Sequence, residues 1–281
     1  MTTLRNFSEA TRALLTNIRA LAIFAALYAL LLGTLYWFIA TREATVWQLL
    51  ITLFGLVLIP AEFFILQAAI LDQARDSGFR WRAILIDALK IFVVTIPILI
   101  VASVLWYLLN KWQLHYPAPK VAIAFPPAPP KPQPVHWPTL LFATKRFLLF
   151  GIVFPLALIH KWIEVTRNDL KTLLAGGAKA ILKRIGRGCA RAFSPNSVLT
   201  YALGLIVFVV IPYALLFVPL TIKGNKTEFV VFILRLVLVF VFTLFGWIVT
   251  VGALAKLPRE TAAVDAKPES KPLKLSEEPT G

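Results

Sequence analysis

Long apolar runs separated by short polar stretches organise this chain. Six runs are long enough to cross a bilayer, whose hydrocarbon core is about 30 Å thick and needs about 20 helical residues. They cover residues 20–40, 46–71, 84–109, 140–162, 198–222 and 228–254. The runs do not alternate apolar and polar residues as barrel strands do, and backbone in lipid must satisfy its own hydrogen bonds, so each run predicts a helix.

The pattern therefore predicts an all-α fold: a polytopic membrane protein built as a bundle of six transmembrane helices. This transmembrane domain covers residues 20–254 and follows an amphipathic N-terminal segment at 1–19. The tail at 255–281 has no aromatic residue and mixes basic with acidic side chains. Such a composition predicts disorder.

Composition favours the same class of protein. The 281 residues are 59% hydrophobic and 15% charged, whereas soluble domains are about 45–50% apolar and about 25% charged. The net charge of +15 would suggest nucleic acid in a soluble protein. Here the basic residues flank apolar runs, so the expected partner is an anionic lipid surface and not nucleic acid.

The placement of basic residues predicts the orientation in the membrane. If the N-terminus is cytoplasmic, most lysines and arginines fall in inside segments, and the positive-inside rule then places both termini in the cytoplasm. Trp162, Tyr201 and Trp247 would form part of an inner aromatic belt. Short loops together with this topology favour a bacterial inner (plasma) membrane.

A proline-rich stretch, "AFPPAPPKPQPVHWP" (124–138), lies in the predicted outside loop at 110–138. Proline locks φ and lacks an amide donor, so the stretch predicts polyproline II and not a regular helix. One interpretation is a spacer between the third and fourth spans. The other is a docking strip for an outside protein partner, with Trp112, Phe125 and Trp137 as anchors.

The longest inside segment, 161–197, is basic and amphipathic. Its apolar residues recur at helical spacing. The opposite face carries the candidate lipid-surface residues Lys171, Lys179, Lys183, Arg184, Arg187 and Arg191. The segment predicts a helix in the inner interface, where each cation near an anionic leaflet contributes about 1 kcal/mol. A topogenic loop would explain the charge but not the apolar stripe.

The run "AGGAKAILKRIGRGCARAFSPNSVLTYALGLIVFVVIP" (175–212) is a basic helical stretch that leads into a proline-bearing span. With this run and its six-span layout, the chain resembles a set of poorly characterised bacterial six-helix membrane domains. One of these is the membrane domain attached to glycerophosphodiester phosphodiesterases. The resemblance covers the last half of the chain and implies a six-helix fold. The phosphodiesterase catalytic part is absent from this sequence, so that activity is not implied.

Glu62 and Arg235 form the candidate intramembrane polar site. Glu62 follows Pro60 inside "LIPAEFFILQAAIL", where a carboxylate must face the bundle interior, stay protonated or have a partner. It is either a proton or cation site, or a neutral acid hydrogen-bonded to a neighbouring helix. Arg235 either snorkels to the outer interface, which its position favours, or reaches toward Glu62 as a gate or packing clamp.

Two spacings predict local contacts within the spans. Asp87 and Lys90 are three residues apart on one helix face and should pair. Ala25, Ala29 and Gly33 follow a small-xxx-small pattern, which favours close helix packing by the first span.

Residues that could carry catalysis are scarce. The single cysteine, Cys189, and three scattered histidines do not form a metal-ligand cluster. There are no paired carboxylates outside the tail and no glycine loop that would cradle phosphate. The sequence therefore favours a non-enzymatic accessory or scaffold for a membrane partner, without a cofactor. The alternative is a small transporter or proton-coupled permease that uses Glu62.

Overall fold

The computed structural model describes residues 2–41, 45–75, 78–117, 136–167, 192–219 and 224–257. These residues form helices and no strands. The helices are α1 (Thr2–Thr16), α2 (Ile18–Ala40), α3 (Val46–Gln73), α4 (Trp81–Gln113), α5 (Trp137–Arg146), α6 (Phe154–Arg167), α7 (Pro195–Leu205), α8 (Ile211–Phe217) and α9 (Asn225–Lys256). A π-helical turn, Phe147–Val153, joins α5 to α6, and a second, Ile206–Val210, joins α7 to α8.

Six of the resulting helical segments are long and apolar enough to span a membrane. They are Ile18–Ala40, Val46–Gln73, Trp81–Gln113, Trp137–Arg167, Pro195–Phe217 and Lys226–Lys256. The predicted all-α, polytopic fold is confirmed, and the chain is a multi-pass integral membrane protein. The third and fourth spans are longer than predicted because their helical backbone continues past the apolar run into polar residues at both ends.

Polar side chains fix where several helices begin. The Asn17 side chain accepts a hydrogen bond from the Ala20 N–H at 3.0 Å, which ends α1 and starts the first span. The Thr45 and Ser194 hydroxyls accept backbone N–H groups in the same way at the starts of α3 and α7. Such caps satisfy donors that a helix N-terminus leaves without intrahelical partners.

The core of the bundle lies near one side of the membrane. Because six spans alternate in direction, both ends of the domain fall on one side, here called the terminal side; the other is the opposite side. The largest fully buried side chains come from the parts of the helices near the terminal side: Phe24, Ile70, Leu71, Ile84, Ile91, Leu156, Ile159, Gln67, Val165, Val249, Val251 and Thr200. Toward the opposite side, apolar side chains such as Tyr36, Val57 and Phe229 are exposed, as lipid-facing residues are.

Helix α1 belongs to this core although it is too short to span a membrane. Its Ala10 and Leu14 are buried, and the helix packs on α9. Leu4 and Leu15, on the neighbouring part of its apolar face, remain exposed. The amphipathic segment predicted at residues 1–19 thus buries part of its apolar face against the terminal end of the bundle.

Close helix packing occurs at glycines that the small-residue pattern did not identify. A Cβ atom on Gly204 would overlap the Thr250 side chain, and one on Gly246 would lie 2.9 Å from the backbone nitrogen of Phe208. The backbones of α7 and α9 therefore approach each other there. Gly33 has nothing within 4 Å of its Cβ position, so the predicted packing face of the first span is exposed instead.

Three predicted features fall wholly or mainly outside the described residues. They are the proline-rich loop over 118–135, the basic segment over 168–191 with all six candidate lipid-surface cations, and the tail over 258–281. Residues 161–167, which the sequence assigned to the interfacial segment, continue the fourth span as the end of α6. Lys161 and Trp162 are buried there, because the helix packs on the core before it leaves the membrane.

Candidate functional site

Glu62 is buried between the first two spans, with only 8% of its surface exposed. The hydroxyl of Thr34 on α2 donates to its Oε1 at 3.0 Å, while Oε2 is buried without a hydrogen-bond partner. By helix rise, Glu62 lies about 16 Å from the terminal end of α3 and about 24 Å from the other end. Glu62 is therefore an acid deep within the second span, held to the first span through one of its two oxygens.

The structure does not bring Arg235 to Glu62. The Arg235 guanidinium donates instead to the Val218 carbonyl at 2.9 Å, at the end of α8 near the opposite side. This carbonyl lacks an intrahelical partner, and an arginine that bonds it extends toward the membrane surface. The snorkelling orientation that the sequence favoured agrees with this contact, and Thr34 is the hydrogen-bond partner of Glu62 within the described ranges.

Two side-chain hydrogen bonds join spans across the buried core. Trp247 Nε1 on α9 donates to Gln67 Oε1 on α3 at 2.8 Å, and Gln67 is 1% exposed. Trp162 Nε1 on α6 donates to Thr95 Oγ1 on α4, also at 2.8 Å. Trp162 and Trp247 therefore act as donors to neighbouring helices and not only as an interfacial belt. We call these two bonds the polar locks.

Another cross-helix bond reaches a carbonyl of the π-helical turn that precedes Pro155. In an α-helix the N–H of residue 155 would bond the carbonyl of residue 151, but Pro155 has no N–H. The hydroxyl of Tyr201 on α7 donates to the Gly151 carbonyl at 2.9 Å. Tyr201 is buried, at 4% exposure, so it too connects spans where the sequence predicted a place in the inner belt.

Ion pairs hold the turn between α3 and α4 on the terminal side. Asp87 contacts Lys90 at 2.9 Å and Arg75 at 3.5 Å, which confirms the predicted pairing of Asp87 with Lys90. Asp72 contacts Arg80 at 3.7 Å. Both aspartates are buried, so their charges need these cations, and removing one partner would leave a costly buried charge.

Cations and aromatic rings meet on the opposite side where α4 and α5 approach. The Arg146 guanidinium donates to the side-chain oxygens of Asn110 and Gln113 and lies 5.1 Å from the Trp106 ring centre. Lys145 Nζ lies 4.4 Å from the Trp112 ring centre. Phe142 packs edge-on against Trp112. These seven residues are called the α4–α5 rim.

Sequence reasoning missed the polar locks and the rim. Gln67 carried a usable signal, because a glutamine inside "FFILQAAIL" must find a partner in lipid just as Glu62 must. Thr95 and Tyr201 carried none, since threonine and tyrosine are common in spans and at their ends. Among the described residues, no three histidine, cysteine, aspartate or glutamate side chains are grouped to hold a metal ion.

Comparison with protein-family models, curated proteins and solved structures finds no match to this chain. The resemblance to six-helix membrane domains stays a prediction from the sequence.

Proposed function

We propose that this protein is a non-enzymatic accessory or scaffold for a membrane partner. The observation that carries the proposal is that the polar locks bond across helices inside the packed half of the bundle. A solute path needs polar side chains that face water or the solute. Gln67 and Thr95 face Trp247 and Trp162 instead, so their hydrogen-bonding capacity goes into holding four spans together.

A closely packed terminal half also suits a scaffold, because it holds in place the helix ends from which the surface segments extend. The residues that flank the basic segment are fixed to the core. Arg167 donates to the Ala255 carbonyl at 2.5 Å, and Ala192 is fully buried. On the opposite side, the residues that flank the proline-rich stretch in the described ranges are Pro117 and His136. In this proposal the bundle is the platform, and the proline-rich stretch is the docking strip for a protein partner.

The test is quantitative co-purification from native membranes. The tagged chain is solubilised mildly, and each co-purifying protein is measured by mass spectrometry with its stoichiometry. One variant replaces 118–134 with a glycine–serine stretch of equal length, and a matched variant lacks 258–281. We expect one stoichiometric partner that is retained without the tail and lost with the replaced loop. Recovery of the protein alone would contradict the proposal.

A second candidate, proton-coupled transport, is favoured by the unpartnered Oε2 of Glu62. Intramembrane acids commonly mark proton or ion pathways. Proton flux into liposomes containing the purified protein tests it, with Glu62→Gln as the variant and Glu228→Gln, an exposed glutamate near the start of α9, as the control. Flux that requires Glu62 but not Glu228 would establish transport and displace the scaffold proposal.

A further inference from the structure

The α4–α5 rim contains two cations without an ion-pair partner among the described acidic residues. On the terminal side, buried aspartates pair with arginine and lysine. By contrast, within the ranges that the structure describes, no aspartate or glutamate forms an ion pair with Lys145 or Arg146. The sequence has no acidic residue at all between Asp87 and Glu164. Among the residues that the structure describes, nothing acidic occupies the two adjacent charges, which are thus open to an anion.

The rim holds these cations in place without removing their charge. Asn110 and Gln113 accept hydrogen bonds from Arg146, and Trp106 lies against its guanidinium. Amide oxygens and ring faces orient a cation but leave it with its full positive charge. Groups that are already oriented lose less entropy when a ligand binds, so the rim is organised for binding before the anion arrives.

The rim also lies at the level of the lipid headgroups. Three tryptophans near the helix ends on the opposite side are exposed: Trp106 by 45%, Trp112 by 50% and Trp137 by 66%. Exposed tryptophans at the ends of spans mark the interface between hydrocarbon and water. The anion available in quantity at that level is the phosphate of a membrane lipid. Arginine and lysine both form charge-assisted hydrogen bonds with phosphate oxygens, and here Arg146 Nη2 already donates to Asn110 and Gln113.

We propose that Lys145 and Arg146 at the α4–α5 rim bind the phosphate of an anionic phospholipid headgroup on the opposite side of the membrane. This site is separate from the predicted basic segment, which would contact lipid on the terminal side. It does not depend on the scaffold proposal, because the cations lie on α5 itself and not in the proline-rich stretch.

The test measures binding of dioctanoyl phosphatidylglycerol to the full-length protein in detergent, by native mass spectrometry. Dioctanoyl phosphatidylcholine is the comparison, since it has the same phosphodiester but no net charge. We expect one tightly bound phosphatidylglycerol in the wild type and weaker binding of phosphatidylcholine. Inorganic phosphate is added as a competitor: displacement of the lipid identifies a site that also takes free phosphate, and no displacement identifies a site specific for the lipid.

Variants then assign the site to the rim. Lys145→Gln removes an exposed charge with no protein hydrogen bond, so this variant should fold as the wild type does and bind about fivefold more weakly. Lys145→Gln with Arg146→Gln should bind at least about tenfold more weakly. Lys226→Gln, which removes an exposed cation from the same side, should change binding by less than about twofold. Circular dichroism confirms helix content in each variant.

Three results would overturn the proposal. The first is unchanged phosphatidylglycerol binding in a folded Lys145→Gln, Arg146→Gln double variant. The second is an equal loss in Lys226→Gln, which would show that general surface charge is measured. The third is equal affinity for phosphatidylcholine and phosphatidylglycerol, because the proposed cations should distinguish net charge.

Discussion

The hydrogen bond from Tyr201 to Gly151 predicts a specific coupling between two distant positions. Tyr201→Phe removes only the hydroxyl and leaves the Gly151 carbonyl without its donor. The ring is 4% exposed and contacts Phe208 edge-on at 6.1 Å between centroids, and phenylalanine keeps both features. The change therefore tests the hydrogen bond and not the packing.

The expected loss follows from the position of the carbonyl. A side-chain hydrogen bond between membrane helices contributes about 0.6 kcal/mol on average and at most about 1.7 kcal/mol. An acceptor left unpaired away from water costs about 1–3 kcal/mol. Because the Gly151 carbonyl is only partly buried and Pro155 cannot donate to it, we expect Tyr201→Phe to lower the free energy of unfolding by about 1–2 kcal/mol.

Pro155→Ala supplies the matched background. Alanine supplies an N–H at residue 155, and once the π-helical turn takes α-helical register this N–H donates to the Gly151 carbonyl, so Tyr201→Phe should then cost about 0.5 kcal/mol or less. The free energy of unfolding is measured for both single variants, the double variant and the wild type by titrating dodecyl sulfate into mixed micelles and following helix content by circular dichroism. The coupling energy should be about 1 kcal/mol.

Tyr213→Phe is the control, because this tyrosine on α8 is 62% exposed and should tolerate the change. The reasoning is refuted if Tyr201→Phe costs the same with and without Pro155. It is also refuted if Tyr213→Phe costs as much as Tyr201→Phe, since the assay would then report the loss of any tyrosine hydroxyl.

The same unfolding assay checks three further predictions. Gly246→Ala should destabilise the protein by about 1–3 kcal/mol, because the new methyl group meets the backbone of the neighbouring span. Gly33→Ala is the control and should cost nothing, because its Cβ position is open. Equal effects of the two substitutions would contradict the observed packing. Trp247→Phe leaves the buried Gln67 oxygen unpaired and should cost about 1–3 kcal/mol. Asp87→Asn leaves two cations without their acid and should cost about 3–5 kcal/mol, and a loss under 1 kcal/mol would show that water solvates them.

The fold class could be predicted because the length and continuity of an apolar run directly reflect the thickness of a bilayer. Helix pairing could not, because it depends on which faces meet. Gly33, in a regular small-residue pattern, faces open space, while Gly204 and Gly246, outside that pattern, pack against Thr250 and Phe208. A spacing within one helix carries no information about the side chains that its partner presents.

The candidate site was predictable in the same partial way. Glu62 was recognisable because an acid inside an apolar run is rare and needs a partner. Its partner Thr34 was not recognisable, since a threonine can satisfy its own hydroxyl by bonding the preceding turn of its helix. The bonds from Arg146 to Asn110 and Gln113 depend on the approach of α4 to α5, which the sequence does not specify.

The position of Glu62 along α3 connects the two functional proposals. From Phe64 to Asp72 most of α3 is buried in the packed terminal half, whereas most of the helix before Glu62 is exposed. Glu62 thus lies where packing begins. For a proton bound there to reach the terminal side, that half of the bundle would have to open around the bond between Gln67 and Trp247, because Gln67 lies between Glu62 and that end of α3. The close packing of α3 from Phe64 to Asp72 favours a scaffold, in which the Thr34–Glu62 hydrogen bond joins α2 to α3 at the edge of the packed half.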